Sequence, residues 1–191
     1  MRIASVLTVL AMMYGCAVPD TRPREFLDEQ TAATITVVAE PVIFVAAPSL
    51  AARRDAAHGE FATAGGRDYL ELYGIDINRM GSHRQFLVVQ KWLSVKDASA
   101  PALLELRTGE GAVELRSTGE DPRQLGLSGP VAKQFSKSSQ WWYFPTDTAT
   151  LRRIAAAGNL AANLTVDEQP LAYEVFSDGR AQLGELASAL P

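Results

Sequence analysis

Few residues in this chain have the types and spacing that chemistry requires. Nucleophilic catalysis needs a nucleophile beside a base that a third group orients. Neither the strand-turn-helix serine pattern nor a serine followed three places later by lysine occurs in a catalytic context, and Gly126, Leu127, Ser128 and Gly129 read as a turn. His58 and His83 are the only histidines, far apart and without a second ligand at helical spacing, so each reads as a surface residue and no metal site is expected. Asp76, Asn78 and Gly81 match the opening of a calcium loop, but Met80 and Leu87 stand at its fifth and twelfth positions, where oxygen ligands are needed. These residues therefore read as hairpin punctuation. Glu105 and Glu114 can face each other across a hairpin, but glycosidic cleavage needs two carboxylates whose separation the fold sets. They read as two charges on a solvated face. No catalytic residue, metal ligand or cofactor is assigned.

The one unusual constellation is Trp141, Trp142, Tyr143 and Phe144. On a strand these divide into Trp141 with Tyr143 and Trp142 with Phe144, one pair per face. Exposed aromatic faces on such a strand can stack on sugar rings or anchor a protein. A surface combining one pair with Arg84 or Lys91 is the candidate binding site; the competing expectation is that two layers, or the late helix, cover both pairs.

The chain carries 18 Lys plus Arg against 22 Asp plus Glu, a formal charge of −4 over 191 residues. That is the wrong sign for a domain that neutralises nucleic-acid phosphates, so no nucleic-acid partner is expected. Arg79, His83, Arg84, Lys91 and Lys96 do cluster, flanked by Asp76 and Asp97, and read as a solvated hairpin surface.

The N-terminus carries an address. Met1 to Gly15 contain one cation, Arg2, then an apolar run from Ile3 to Met13 and no acidic residue, which reads as a signal peptide over 1–15. The run is too short for a spanning helix, which needs about 20 residues. The only cysteine, Cys16, follows at once and has no disulfide partner within the chain. Here the sequence resembles the lipobox of bacterial lipoproteins, through Met13, Tyr14, Gly15 and Cys16. The resemblance covers about the first 16 residues. It implies cleavage before Cys16, a diacylglycerol on its sulfur and an acylated amino group: a protein tied to the periplasmic face of a membrane and not inserted in it. Ala17 in place of aspartate leans this toward the outer membrane. The alternative is ordinary cleavage after Ala17, which would leave a soluble periplasmic protein.

The body must be built by the elements that follow. Residues 16–33, with Pro19, Pro23 and six charges, read as a lipidated cysteine and tether able to span on the order of 50 Å, although Phe26 and Leu27 can instead dock on the domain. Residues 34–191 read as a single β-rich domain. Thr34 to Glu40 and Val42 to Ala46 flank Pro41, and the loop from Ala47 to Arg67 has room for a short helix over Leu50 to Ala57. Tyr69 to Asn78 and Gln85 to Val95 predict a hairpin turned at Met80, Gly81 and Ser82. The apolar phase of its first arm switches near Gly74, which predicts a bulge there. Its second arm is apolar on both faces, so it lies between two layers.

Leu103 to Arg107 with Val113 to Arg116, and Leu160 to Val166 with Leu171 to Phe176, predict two more hairpins. Ser117 to Ser139 reads as loop with an apolar anchor at Val131. Trp141 to Phe144 returns to strand. Thr148 is placed to cap a helix through Leu151 and Ile154, closed by Gly158 and Asn159, and a short amphipathic turn uses Leu183 and Leu186. The expected fold is mainly β (α+β), an antiparallel β-sandwich or open barrel with one or two late helices.

Through Asp68 to Trp92 with its Asn78, Arg79 and Gly81 turn, and through Phe176, Gly179 and Arg180, the domain is similar to uncharacterised proteobacterial lipoproteins. That likeness implies an envelope location and no activity. The expectation is a lipid-anchored, non-catalytic module that binds an envelope protein or assists assembly. A cell-wall or glycan hydrolase and a periplasmic small-ligand carrier are the alternatives.

Overall fold

A computed structural model describes residues 22–46, 69–92, 102–118, 121–132, 139–166 and 168–190. The signal segment, Cys16, residues 17–21, the 47–67 loop with its expected helix and His58, and Leu93 to Asp97 lie outside the described residues.

Among the described residues ten strands form: β1 (Arg24–Asp28), β2 (Ala33–Val37), β3 (Val42–Ala46), β4 (Tyr69–Arg79), β5 (Ser82–Trp92), β6 (Leu103–Thr108), β7 (Gly111–Arg116), β8 (Ser139–Thr146), β9 (Leu160–Val166) and β10 (Gln169–Ser177). Helices α1 (Thr148–Ala156) and α2 (Arg180–Ala189) come late, and a 3-10 turn spans Pro122–Leu125. Every ladder is antiparallel. The fold is thus the expected one, a mainly antiparallel β sheet with two late helices.

β4 and β5 organise the sheet because their long alternating sequences can be buried on both faces. The ladder runs unbroken from Arg79 opposite Ser82 to Leu70 opposite Lys91. On the far side of β5, β8 adds its aromatic run. On the far side of β4 the sheet forks. β2 pairs with the second half of β4 and carries β1, whereas β3 pairs with the first half and leads through β10, β9 and β6 to β7. The sheet is not closed by a ladder; Thr118, just after β7, donates its amide and its hydroxyl to the Tyr143 carbonyl of β8, at 2.9 and 3.2 Å.

The bulge expected in β4 is not there. The irregularity lies on the neighbouring edge, where the five steps from Val37 to Val42 lie beside the three from Ile75 to Leu72, and Val38 donates its amide to the Gly74 carbonyl at 3.1 Å. The apolar phase of β4 switches for another reason: its two faces enter two different packed layers.

Register assigns the layers, because directly paired residues share a face. Leu70, Leu72 and Gly74 share one with Phe44, Val89, Leu87, Trp142 and Phe144. Leu183 and Leu186 of α2 lie over Gly74 on this inner face. The same face continues through Tyr173, Ala162, Leu164, Leu104 and Leu106, all buried. Tyr73, Ile75, Phe86, Val88, Trp141 and Tyr143 form the outer face with Ile35 and Val37. The 121–132 segment covers it, burying Leu125, Leu127 and the expected anchor Val131. Ser128 donates its amide to Asp28 at 2.7 Å, and Arg79 reaches the Gly126 carbonyl at 3.0 Å.

Two details of the helices differ from expectation. Asp147, not Thr148, caps α1, accepting the Thr150 amide at 2.6 Å. The carboxylate is already in place one residue earlier, so Thr148 becomes the first helical residue. Nor does a left-handed glycine close α1: Ala157 ends it in extended backbone. The expected amphipathic turn at Leu183 and Leu186 is a full helix, α2, joined to the end of α1 by Arg180, which donates to the Ala157 carbonyl and pairs with Asp178 at 2.6 Å.

Candidate functional site

The aromatic run divides as its sequence implies, but neither pair reaches solvent. Trp142 and Phe144 point into the inner layer and Trp141 and Tyr143 into the outer one, at 1%, 0%, 7% and 0% exposure. Arg84 and Lys91 fall on opposite faces of β5. Arg84 is exposed, its guanidinium 5.2 Å from the centroid of the Phe86 ring, whereas Lys91 is buried. The structure therefore does not bring these six residues together as one accessible surface. Burial pushes the Tyr143 hydroxyl well above the usual phenol range, with the Asp121 charge adding to it, so it is a neutral group. Trp141 Nε1, Trp142 Nε1, the Tyr143 hydroxyl and both amide atoms of Gln90 are buried without a hydrogen-bond partner among the described residues.

Among the described residues, the first place built to receive something is a cavity of about 360 Å³ on the outer side of the sheet, beside β1. Phe26, Val37, Val38, Ala39, Val131 and Ala132 supply apolar walls, and Arg24 and Tyr73 the polar groups. Tyr73 donates its hydroxyl to Glu71 at 2.6 Å. Burial, then that hydrogen bond and the Glu71 charge, push it far above the ordinary phenol range. Two elements make the cavity: β1, placed by its ladder to β2, and the 121–132 segment, tied to β1 through Asp28. Two amides hold that carboxylate, those of Ser128 and Gln30, and the Thr31 amide donates to the Asp28 main-chain carbonyl. The Ser128 bond foremost holds the Asp28 carboxyl below the usual range. Among the described residues β1 is also the end of its branch of the sheet, paired with β2 alone. An apolar side chain fits such a cavity, with Arg24 available to a carboxylate or carbonyl.

The second place is polar. Asp76, 1% exposed, accepts from Gln85 Nε2 at 2.9 Å and contacts His83 Nδ1 at 2.8 Å. This fixes the ring, as an orienting carboxylate fixes a general base. From the sequence alone His83 reads as a surface residue and Asp76 as hairpin punctuation. The signal that would have joined them is the hairpin register, which sets Asp76 opposite Gln85 and Asn78 opposite His83. Asn78 does act as punctuation, accepting the Gly81 amide at 2.9 Å.

Glu105 and Glu114 stand opposite each other in the β6 and β7 ladder, as expected, and Glu105 accepts from Asn163 at 3.0 Å. Among the described residues no group of three His, Cys, Asp or Glu side chains could hold a metal ion. No helix among them is long and apolar enough to cross a membrane. The chain matches no family model, and no curated protein or solved structure is detectably similar to it.

Proposed function

We propose that this chain is a lipid-anchored protein of the bacterial cell envelope whose β domain is a non-catalytic binding module. Its anchor is the acylated Cys16, on the periplasmic face of a membrane, with the outer membrane favoured. Its binding element is β1, along which an extended segment of an envelope protein adds as a further strand. Main-chain hydrogen bonds supply affinity in this mode, and pockets for alternate side chains supply selectivity.

The observation that carries the reading is the cavity on the outer face over β1, β2 and β4, at the end of a branch where, among the described residues, β1 pairs with β2 alone. A strand laid along the free edge of β1 would run beside Phe26 and Arg24, the two β1 residues that line the cavity, so that a side chain on its outer face can lean over β1 toward the cavity and an acidic group or carbonyl can meet Arg24. The inner face supports the same choice over ligand carriage, because the aromatic rings, Leu183 and Leu186 occupy it.

The test is capture of the full-length lipidated protein from solubilised envelopes. Phe26→Glu places a charge at the cavity wall, at a residue exposed enough, at 42%, for the fold to tolerate it. Phe176→Ala, at an exposed ring stacked edge-on against Tyr69, is the control. Cys16→Ser reports on the anchor. A specific envelope protein retained by wild type and Phe176→Ala but lost by Phe26→Glu supports the reading. Equal recovery by all three, or none by wild type, contradicts it.

A further inference from the structure

The turn between β4 and β5 places a fully exposed methionine at a left-handed position. Met80 and Gly81 take φ of 53° and 86°, the two positive angles of a type I′ turn. Asparagine, aspartate or glycine sits there without strain, and methionine does not. Its side chain, 99% exposed, packs on nothing in the fold. A strained, fully exposed thioether side chain points to a use outside the chain.

Its neighbours indicate what kind. Leu27, 61% exposed, lies at the same end of the sheet, opposite Thr34, which is opposite Asn78. Arg79 and Arg84 flank the turn, and Arg123 stands in the 3-10 segment whose Gly126 carbonyl Arg79 holds. The neighbouring acids are Glu29, in the turn after β1, and Asp121, which caps that 3-10 segment; Asp28, beside Leu27, is buried under the Ser128 amide, and Asp76 is buried against His83 and Gln85. This end of the sheet thus carries an exposed apolar side chain on the turn, a second on the inner face at Leu27, and guanidinium groups toward the outer face at Arg79 and Arg84, a make-up that suits a bilayer interface, with the apolar part below the headgroups and the cations on phosphate.

We infer that this turn seats in the headgroup region of an anionic phospholipid bilayer, with Met80 and Leu27 entering it, and so sets the orientation of the anchored domain. The inference rests on the lipid anchor at Cys16. Covalent geometry allows it. Cys16 is eight residues from Arg24, hence within roughly 29 Å of it. Arg24 stands opposite Val37, which stands opposite Ile75, and Met80 follows five residues on, about 17 Å along the strand. The lipid and the turn can occupy one plane, with the unpaired side of β1 held just above it.

The lipidated full-length protein is reconstituted in vesicles of phosphatidylethanolamine and phosphatidylglycerol, with a fluorophore placed through Met80→Cys or, at the far end of β10, Gln169→Cys. Cys16 is the only natural cysteine, and its acylated sulfur does not label. The probe at 80 is expected to be quenched by bromolipids several-fold more than the probe at 169, and less so in purely zwitterionic vesicles. Equal quenching at the two positions of a protein shown by mass spectrometry to be acylated overturns the seating alone. So does a loss of envelope-protein capture in Met80→Asn where the probes at 80 and 169 are quenched equally, which would assign the turn to a protein. An N-terminus without acyl chains removes the anchor and the inference together.

Discussion

Gly74 of β4 lies directly beneath Leu183 of α2: a Cβ on this glycine would stand 2.7 Å from Leu183 Cδ2 and 3.0 Å from Leu186 Cδ2. The helix rests on the strand through the absence of a side chain. Gly74→Ala forces α2 away from the sheet or its leucines off their rotamers, at a cost of about 1–3 kcal/mol. Urea denaturation should show a lower midpoint. A paired Leu183→Ala change should recover part of the strain while adding its own cavity.

Gln90 is 0% exposed and neither atom of its amide has a partner. An unsatisfied buried amide costs free energy that an apolar side chain of similar volume does not. Gln90→Leu should therefore raise stability by about 1 kcal/mol, seen as a higher unfolding midpoint. A fall of similar size would show that the amide is satisfied in the folded protein in solution.

Met80→Asn should stabilise the domain, because asparagine relieves a left-handed residue at about 1 kcal/mol and no packing is lost. Thermal unfolding of the two proteins in detergent checks this independently of any membrane effect.

Three carboxyls set the acid limb of stability. Asp28 is held low first by the Ser128 amide, Asp147 first by the Thr150 amide, and Asp178 first by the Arg180 guanidinium. In each case the folded value lies below the unfolded one, so the unfolded chain binds more protons in the interval between them. Stability is then fully present at neutral pH and declines as pH falls from about 5 toward about 2. Asp28→Asn should be less stable than wild type at pH 7, and the difference should shrink across that interval. Urea midpoints measured against pH for the two proteins decide it.

Strands that alternate or are apolar throughout were legible in the residues. The β4 and β5 hairpin, the β6 and β7 hairpin and the β9 and β10 hairpin fall within two or three residues of their expected bounds, because each carries its own burial pattern and turn. β1 was not, since Phe26 and Leu27 sit among Arg24, Glu25 and Asp28, and an edge strand with charges on its exposed faces has no burial pattern to read. Part of the supposed tether is therefore sheet. The burial of Trp141 and Tyr143 depends on the 121–132 segment, whose Gly, Ser and charged residues announce only Val131. The candidate site was less visible still. Its cavity needs β1 and Val131 brought together through Asp28 and Ser128, 100 residues apart in sequence, and no local pattern encodes that contact.

On the proposed function, acyl chains on the Cys16 sulfur hold this β domain at a membrane, and the direct measurement is the intact and N-terminal peptide mass of the mature protein taken from membranes of an expressing bacterium. The expected result is a chain beginning at Cys16 that carries a thioether-linked diacylglycerol. A free thiol at that position, or a chain beginning at Val18, would contradict it.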